Sequence, residues 1–260
     1  MLCFCRRQKG NNMAKQKHRF YRCFFKRFLD IICSFLGILI LSPLFIIIYL
    51  LSLIILGGNP IFAQYRPGKN GKVFKLYKFR SMTNKRDKDG NLLPDKDRIT
   101  AYGKFLRKLS IDELPQLFNI LFGSMSIVGP RPRLVSDMAF YPEEVMKAYA
   151  ETPGLTGPSQ VTGGRSESSW ESIFEEDLKY AENVSFGLDL KILLKTFGAI
   201  FKKGSSAGAE TSKREYYYAD YLLKKGEITK EQYAAGKKLS EEIISARGIV
   251  KYNQELHKKQ

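Results

Sequence analysis

Histidine and cysteine are scarce in this chain and are missing from its centre. The 260 residues include two histidines, His18 and His257, both in basic terminal segments, and all four cysteines precede Ser34. A central active site would therefore work without imidazole or thiolate, which leaves carboxylates, hydroxyl groups and cations. The cysteines also lack a spacing typical of zinc and indicate no disulfide framework, in keeping with a reducing cytoplasm.

Acidic residues are outnumbered, with 26 Asp and Glu against 43 Lys and Arg and a net charge of +17. None lies in residues 1–28 or 59–80. For a chain attached to a membrane, this excess indicates anionic lipid headgroups and phosphorylated substrates as partners. Nucleic acid is the rival partner, but no recognition helix or stacking motif accompanies the charge, so we expect no nucleic acid.

One long apolar run, from Phe28 to Leu56, is interrupted only by Asp30 near its start. A straight helix of that length would measure about 43 Å, well over the roughly 30 Å hydrocarbon core of a bilayer. Ser42-Pro43 lies at its middle, where proline removes a backbone donor and the serine hydroxyl can bond the carbonyl left free. The run is too long for a cleavable signal, and no small-residue cleavage pattern follows it.

Basic residues flank this run on both sides. They are Arg22, Lys26 and Arg27 before it and Arg66, Lys69, Lys72, Lys75, Lys78 and Arg80 after it. The positive-inside rule then places both ends in the cytoplasm, which a single crossing cannot satisfy. We therefore predict a re-entrant helix-break-helix over residues 28–58, broken at Ser42 and Pro43. The alternative is a tilted single crossing kinked at Pro43, because spanning helices tolerate proline.

The composition divides the chain into four segments: a basic N-terminal arm (1–27), the membrane helix (28–58), a cytoplasmic domain that would hold the catalytic residues (59–203) and a charged helical appendage (204–260). Residues 59–83 alternate apolar and basic side chains around Asn70-Gly71, which predicts a β-hairpin. In the appendage, Gly226 and Thr229 separate two short predicted helices without residues that indicate chemistry. We expect an α-rich α+β fold with this small hairpin, the re-entrant helix and interfacial amphipathic helices.

Residues 186–203 have the pattern of such an amphipathic helix. One face carries Leu190, Leu193, Leu194, Phe197, Ile200 and Phe201, beside Lys191, Lys195, Lys202 and Lys203. The apolar face is compatible with an ordinary core helix. It is equally compatible with a helix in the headgroup plane, which would hold nearby carboxylates at the level of a lipid phosphate.

Two adjacent carboxylates, Asp112 and Glu113, lie in the segment Ser110 to Gln116. Ser110 and Glu113 fit a helix capping box, in which the acidic residues need no function. That interpretation would make Pro115 the fifth residue of the helix, where it lacks the required amide. We therefore expect the helix to begin at Pro115, with the two carboxylates in its approach. The positive end of the helix and its free amides would favour an anion such as phosphate there.

Other acidic residues offer a rival site. Asp87-Lys88-Asp89 and Asp95-Lys96-Asp97 superficially resemble the acidic triplet by which many glycosyltransferases hold a metal. They lie in a polar, lysine-rich stretch, so we expect a solvated loop over residues 84–98. A third alternative is a catalytically silent membrane scaffold, which would have no reason to keep both the acidic pair and Gly129-Pro130-Arg131-Pro132.

Ordered motifs run through most of the chain. They are Lys26 to Asp30, Ser42-Pro43, Gln64 to Gly68, Lys78 to Met82, Asp97 to Thr100, Leu109 to Gln116, Met125 to Pro132, Pro153 to Gly157, Gln160-Val161, Trp170-Glu171, Asp177, Tyr180 and Leu188 to Thr196. With these motifs, residues 26–203 resemble the bacterial sugar transferases, the small monotopic polyprenyl-phosphate phosphoglycosyl transferases. Two departures, Pro158-Ser159 and Gly163-Gly164-Arg165, leave the acidic pair unchanged. The appendage is not covered.

The resemblance implies transfer of a sugar 1-phosphate from a UDP-sugar to a polyprenyl phosphate, with release of UMP, at the inner leaflet of the bacterial cytoplasmic membrane. It implies Asp112 as the nucleophile, in a phosphosugar-aspartate intermediate with bound Mg2+, and Glu113 as a neighbour that positions the metal or the attacking group. The residues support this chemistry because a carboxylate can attack phosphorus when cations neutralise the diphosphate. The candidate phosphate and substrate contacts are Lys78, Arg80, Arg107, Arg131, Pro132, Gln160 and Asp177. The sugar, the polyprenol and the glycan pathway stay open, as does assembly into a homo-oligomer.

Overall fold

The computed structural model describes residues 20–161, 169–202, 217–253 and 256. The basic arm before residue 20, the departure at residues 163–165 and the glycine-serine linker at 204–208 lie outside the described residues, as do the side chains of residues 200–202. The fold is helix-rich with two very small sheets, which confirms the α-rich α+β class at this coarser level.

A single helix accounts for the apolar run. A π-helical turn, Tyr21–Phe25, leads into α1, Lys26–Leu56, which ends at Gly57 with φ 60°. By length and composition, this is the one helix in the described part of the chain that is apolar and long enough to cross a membrane. Its outward side chains are largely exposed, up to 78 % for Ile54. The helix therefore presents an apolar surface for lipid.

The helix continues through Pro43, and every residue around the proline is helical. The predicted break of the secondary structure at Ser42 and Pro43 is therefore wrong. Ser42 explains the continuity. Its hydroxyl donates a hydrogen bond of 2.8 Å to the carbonyl oxygen of Leu39. This is the carbonyl that would have bonded the amide that Pro43 lacks, so the predicted role of the serine is confirmed.

The predicted β-hairpin is confirmed. Strands β1, Ile61–Pro67, and β2, Val73–Phe79, are antiparallel, with Ile61 opposite Phe79. A 3-10 turn, Lys69–Gly71, joins them with Asn70 and Gly71 at positive φ (55° and 74°), which asparagine and glycine tolerate best. Residues 84–92 then form an exposed segment in which the Asp87 carboxylate accepts hydrogen bonds from the backbone of Asp89 and Asn91. The predicted solvated loop is thus present over residues 84–92, whereas residues 95–98 form a short helix in place of the loop predicted there.

The remaining elements are short until the chain reaches its last four helices. They are α2, Asp95–Arg98; α3, Ala101–Lys108; a 3-10 turn, Ile111–Glu113; α4, Gln116–Leu121; β3, Ser126–Val128; α5, Val135–Met138; α6, Glu143–Met146; a 3-10 turn, Lys147–Ala150; β4, Gly154–Thr156; and α7, Pro158–Val161. The longer helices are α8, Trp170–Glu182; α9, Phe186–Lys202; α10, Tyr218–Lys225; and α11, Lys230–Ser245. Strands β3 and β4 pair in parallel.

The C-terminal appendage packs into the main core. Tyr218, Leu222 and Val250 belong to the same buried cluster as Tyr141 and Phe174. The backbone of residues 248–250 also exchanges hydrogen bonds with the hairpin turn. Two helices around a glycine are confirmed, because Gly226 ends α10 at φ 71° and the side chain of Thr229 caps α11.

Polar contacts hold the start of α1 to the domain. Lys26 forms a buried ion pair with Asp189 of α9, whose carboxylate also accepts hydrogen bonds of 2.7 Å from the hydroxyls of Tyr21 and Tyr180. One turn later, Asp30 accepts a hydrogen bond of 2.9 Å from the amide of Ile127 in β3. The far end of α1 is held as well. Ser52 bonds the hydroxyl of Tyr102 at 2.8 Å, and a guanidinium nitrogen of Arg80 donates to the carbonyl of Gly57.

Helix α9 has the predicted amphipathic pattern. It buries Asp189 and Ile192 against the domain and exposes an apolar face formed by Phe186, Leu190, Leu194 and Phe197. Lys191 and Lys195 are both exposed beside that face. A position in the headgroup plane stays a prediction, and the exposed apolar face is what such a position requires.

The buried pair of Lys26 and Asp189 gives a prediction about stability. Replacing Lys26 with methionine leaves the Asp189 carboxylate buried without its cation, which costs about 3–5 kcal/mol. We expect a clear fall in the melting temperature of the detergent-solubilised chain, followed by circular dichroism. Lys191→Met is the matched control on the same helix as Asp189 and should change the melting temperature little. Equal effects of the two substitutions would contradict this role for the pair.

Candidate active site

The acidic pair lies in a turn that precedes a helix. Asp112 and Glu113 occupy the 3-10 turn Ile111–Glu113, which follows Ser110 in the left-handed region at φ 56°. The Ser110 side chain makes no capping hydrogen bond, so the capping-box interpretation is wrong. Helix α4 begins at Gln116 with Pro115 immediately before it, one residue later than predicted. The carboxylates are thus in the approach to the helix, as the sequence indicated.

Asp112 is buried, with 8 % of its surface exposed. Burial raises the pKa of its carboxyl group and the adjacent charge of Glu113 raises it further, while Lys78 and Arg107 oppose both effects. Within the described residues, no side chain donates a hydrogen bond to this carboxylate, because Lys78 donates to Glu113 and Arg107 to Ser81. A cationic group brought in with a substrate would therefore favour its ionised, nucleophilic form.

Glu113 is held between two cations. Its Oε1 atom accepts a hydrogen bond from Nζ of Lys78 at 2.7 Å and from an Arg131 guanidinium nitrogen at 3.4 Å. Lys78 comes from strand β2 and Arg131 from the loop after β3, so Glu113 joins three separate segments. This arrangement fixes one carboxylate of the pair and leaves Asp112 beside it.

The backbone that carries Arg131 has little freedom. Gly129, directly after β3, and Gly154, at the start of the paired strand β4, are in close contact, and a Cβ atom on Gly129 would overlap the carbonyl oxygen of Thr152. The amide of Gly129 donates to the carbonyl of Thr156 at 2.9 Å, and the amide of Gly154 donates to Pro130 at 3.0 Å. The Gly-Pro-Arg-Pro segment is therefore fixed by close backbone packing as well as by its prolines.

A cavity of about 180 Å³ opens beside Glu113. Basic side chains dominate its charge: Arg66, Lys78, Arg131 and Arg133, against the carboxylates of Glu113 and Asp137. The remaining wall is formed by Leu76, Gln116, Pro132, Leu134, Gly154, Leu155, Trp170 and Tyr217. The size and charge of this space suit a ligand with one or two phosphate groups.

Two of the arginines in this cavity carry unsatisfied donors. The Nε atoms of Arg66 and Arg133 are buried and have no hydrogen-bond partner within the described part of the chain. Burial, together with the positive charge of Arg131, lowers the pKa of Arg66 to about 10. Because like charges repel in a desolvated site, an anion in the cavity would stabilise all three arginines.

The predicted contact residues do not all line the cavity. Lys78, Arg131 and Pro132 line the cavity with Glu113. Arg107 stands beside Asp112 and donates to the Ser81 hydroxyl at 2.8 Å. Arg80 instead reaches the end of α1, at Gly57.

Gln160 and Asp177 lie behind the cavity wall. The Gln160 amide donates to the carbonyl of Leu155 at 3.4 Å. Burial raises the pKa of Asp177 to about 6, and Arg133 opposes the rise. Arg133 in turn stacks on Trp170, with its guanidinium carbon 4.9 Å from the ring centroid. These residues support the cavity arginines from behind.

Sequence reasoning gave no role to several cavity residues: Arg66, Gln116, Arg133, Asp137, Trp170 and Tyr217. Four of them carried a usable signal. Arg133 directly follows the Pro130-Arg131-Pro132 segment, and Arg66, Gln116 and Trp170 lie in motifs that had already been singled out. Asp137 and Tyr217 carried none, because only the tertiary packing brings them to the cavity.

The donor set fits Mg2+ only in part. Among the described residues, no group of three or more His, Cys, Asp or Glu side chains could hold a metal ion. Mg2+ is commonly bound by one or two carboxylates together with substrate phosphates. Asp112 and Glu113 could provide the carboxylates. The residues therefore fit an ion that arrives with a phosphorylated ligand, and Asp112 and Glu113 would be its protein ligands.

Asp137 gives a prediction about pH. Burial raises its pKa to about 7, against the opposing effects of the Ala219 amide, Arg133 and Arg66. The folded chain then holds this proton more tightly than the unfolded chain, so stability falls as pH rises from about 4 to about 7. Asp137→Asn should remove up to about 4 kcal/mol of this pH dependence. Melting temperatures of both chains between pH 4.5 and 8 test it, and parallel curves would contradict it.

Comparison with known proteins identifies relatives over the same residues. A family model described as bacterial sugar transferase matches residues 21–203. The uncharacterised sugar transferase EpsL of Bacillus subtilis is 54 % identical over 140 residues, which cover 54 % of this chain and 69 % of EpsL. The UDP-glucose:undecaprenyl-phosphate glucose-1-phosphate transferase of Klebsiella pneumoniae is 42 % identical over 181 residues, 66 % of this chain and 39 % of that protein.

A third relative has a similar match. The undecaprenyl-phosphate galactose phosphotransferase of Salmonella typhimurium is 38 % identical over 212 residues, which cover 74 % of this chain. The chain spans only 43 % of the length of that relative. The family match includes the acidic pair, the hairpin and the cavity arginines, and it ends before the appendage. The chain belongs to the bacterial sugar transferase family.

Proposed function

We propose that the protein transfers a sugar 1-phosphate from a UDP-sugar to a polyprenyl phosphate, with undecaprenyl phosphate the acceptor, and releases UMP. The reaction would start the assembly of a surface glycan or glycoconjugate. The observation that carries the proposal is the cavity of four basic side chains that opens beside the acidic pair. The names of the Klebsiella and Salmonella relatives support the acceptor and the reaction type.

Two steps account for the roles of the carboxylates. An Asp112 oxygen attacks the phosphorus bonded to the sugar, and the bond from that phosphorus to the UMP oxygen breaks, so UMP leaves. A polyprenyl phosphate oxygen then attacks the same phosphorus and expels the Asp112 carboxylate, which gives the polyprenyl diphosphate sugar. Bound Mg2+ would neutralise charge on the diphosphate. Arg66, Arg131 and Arg133 would hold the phosphates, and Lys78 would keep Glu113 in place.

An apolar groove provides room for the lipid acceptor. This groove has a volume of about 500 Å³ and lies between α1, the hairpin and α4. Its lining includes Phe45, Tyr49, Leu50, Tyr77, Phe118 and Phe122. Pro115, two residues after Glu113, forms part of the same wall. A prenyl chain in the groove would therefore bring its phosphate to the acidic pair.

The attachment of α1 at both ends supports the re-entrant topology. Lys26 and Asp30 bond the domain at one end of the helix, and Gly57 bonds it at the other. If α1 spanned the bilayer, its two ends would lie on opposite faces of the membrane, and a domain on one face could not bond both of them. We therefore propose that both ends, and the catalytic domain, face the cytoplasm at the inner membrane.

The two other functions have less support. A glycosyltransferase with an acidic triplet would need Asp87 and Asp89 at a binding site, but both are exposed and Asp87 bonds its own turn. A silent scaffold would not need buried arginines with unsatisfied donors. Neither alternative accounts for the position of Glu113 between Lys78 and Arg131.

The acidic pair gives a kinetic prediction. With Mg2+ and the correct UDP-sugar, but without polyprenyl phosphate, the enzyme should release about one equivalent of UMP in a burst. Asp112→Asn should abolish the burst, because an amide cannot attack. Glu113→Gln should slow turnover while binding of the UDP-sugar remains measurable, since the arginines are unchanged.

The assay also identifies the donor, through a panel of UDP-sugars. Asn84→Asp, in the exposed loop, serves as a control that adds a carboxylate away from the site and should keep the burst. A burst of normal size from Asp112→Asn would exclude Asp112 as the nucleophile.

The topology gives a second prediction. In a chain without its native cysteines, single cysteines at Lys15 and Asn84 should both resist a membrane-impermeant thiol reagent in intact cells. Both should react once the inner membrane is opened. Labelling of the Lys15→Cys chain from the periplasm would establish a single crossing and contradict the re-entrant helix.

A further inference from the structure

A tyrosine from the appendage forms part of the catalytic cavity. Tyr217 lies outside the family match, which ends at residue 203, yet it lines the same cavity as Arg66 and Arg131. Its side chain is 44 % exposed, so part of the ring is open to a ligand. The cavity of this chain is therefore built from the family domain and from the appendage together.

Packing around the next two residues fixes the position of Tyr217. The Tyr218 ring contacts Tyr141, Trp170 and Phe174, with ring centroids 5.1–5.4 Å apart. The amide of Ala219 donates to Oδ1 of Asp137 at 3.4 Å, and Asp137 lines the cavity as well. The start of α10 is thus held to the cavity wall by aromatic contacts and by a buried carboxylate.

Two residues of the hairpin, Lys78 and Arg66, show how the cavity is oriented. Lys78, which bonds Glu113, lies opposite Phe62 in the strand pairing, and Arg66 lies four residues further along β1. Four residues of strand span about 13 Å. Arg66 is the basic group among the charged residues that act on Tyr217, with the carboxylates of Asp95, Asp137 and Asp220. The cavity therefore runs from Glu113 at one end to Arg66 and Tyr217 at the other.

Phosphoryl transfer places the leaving group opposite the attacking oxygen. Asp112 adjoins Glu113, which lines one end of the cavity, so a UMP that departs from an Asp112 attack would extend toward the other end. On the basis of the proposed function, we infer that Tyr217 contacts the nucleoside of the sugar nucleotide and that the appendage completes the donor site. The ring offers a face for the base, since aromatic side chains bind bases by stacking. Arg66 beside it binds the phosphate.

Trp170 allows this inference to be tested by binding alone. It is the only tryptophan in the chain, and it lines the cavity. We would titrate UDP and, separately, inorganic pyrophosphate into the full-length chain in detergent with Mg2+, and follow tryptophan fluorescence. Tyr217→Ala should weaken UDP binding roughly tenfold or more and leave pyrophosphate binding unchanged. Tyr217→Phe keeps the ring and should bind UDP like the unaltered chain.

Tyr221→Ala is the matched control, because Tyr221 lies one turn further along α10 and does not line the cavity. It should leave the affinity for both ligands unchanged. Equal weakening of UDP and pyrophosphate by Tyr217→Ala would show that Tyr217 acts through the arginines, and this would overturn the inference. Unchanged UDP affinity, or no fluorescence response to UDP in the unaltered chain, would overturn it too.

The same titrations separate this inference from the proposed reaction. If UDP binding depends on Tyr217 but no UDP-sugar yields UMP, the nucleotide site stands and the proposed transfer fails. If transfer proceeds, Tyr217→Ala should raise the KM for the UDP-sugar by a similar factor, with a smaller effect on kcat.

Discussion

The attachment of both ends of one apolar helix to a single domain is the constraint on which the rest of the structure depends. At the start of α1, the ion pair of Lys26 with Asp189 also engages two tyrosine hydroxyls, and Asp30 bonds the β3 backbone. At its end, Arg80 bonds Gly57. Polar groups buried in this way are costly to separate, so the domain has a fixed position against the helix. Since α4 packs on α1, the turn that carries Asp112 is fixed to the membrane element too.

The second constraint is the excess of positive charge in the cavity. Arg66, Arg131 and Arg133 converge there with Lys78, while the nearby carboxylates of Glu113 and Asp137 neutralise only part of the charge. Such a cluster is unfavourable without an anion, as the depressed pKa of Arg66 indicates. Burial raises the pKa of the Asp112 carboxyl group, so approaching cations would stabilise its ionised form. Binding of a diphosphate would therefore relieve the arginines and bring its neutralising cations to Asp112.

Local features of the fold could be predicted from the sequence, because their causes lie within a few residues. Alternation around Asn70-Gly71 determines the hairpin, and Pro115 excludes a helix that starts at Ser110. The predicted break at Pro43 was wrong as secondary structure for an equally local reason: the Ser42 hydroxyl supplies the bond to Leu39 that the proline lacks. Because the Ser42 hydroxyl bonds the free carbonyl of Leu39, the helix can continue through the proline.

The composition of the cavity could be predicted only in part, because it depends on contacts between distant segments. Arg66 and Arg80 belong to the same basic stretch, yet Arg66 enters the cavity and Arg80 reaches Gly57. The alternation of apolar and basic residues along a strand does not predict which distant residue each basic side chain contacts. Tyr217 is the clearest case, since its role follows from the packing of Tyr218 on Tyr141 and Trp170. Nothing in the local sequence of the appendage indicates that packing.

Covalent catalysis by Asp112 is most directly tested by the intact mass of the full-length chain. The chain would be mixed with Mg2+ and its UDP-sugar, without polyprenyl phosphate, and quenched within the burst. We expect a gain equal to one sugar phosphate, located by peptide mapping on Asp112 and absent from Asp112→Asn. An unmodified chain under every quench, together with product that forms only when both substrates are present, would contradict the covalent route. Direct displacement, with Asp112 as a metal ligand, would then be the mechanism.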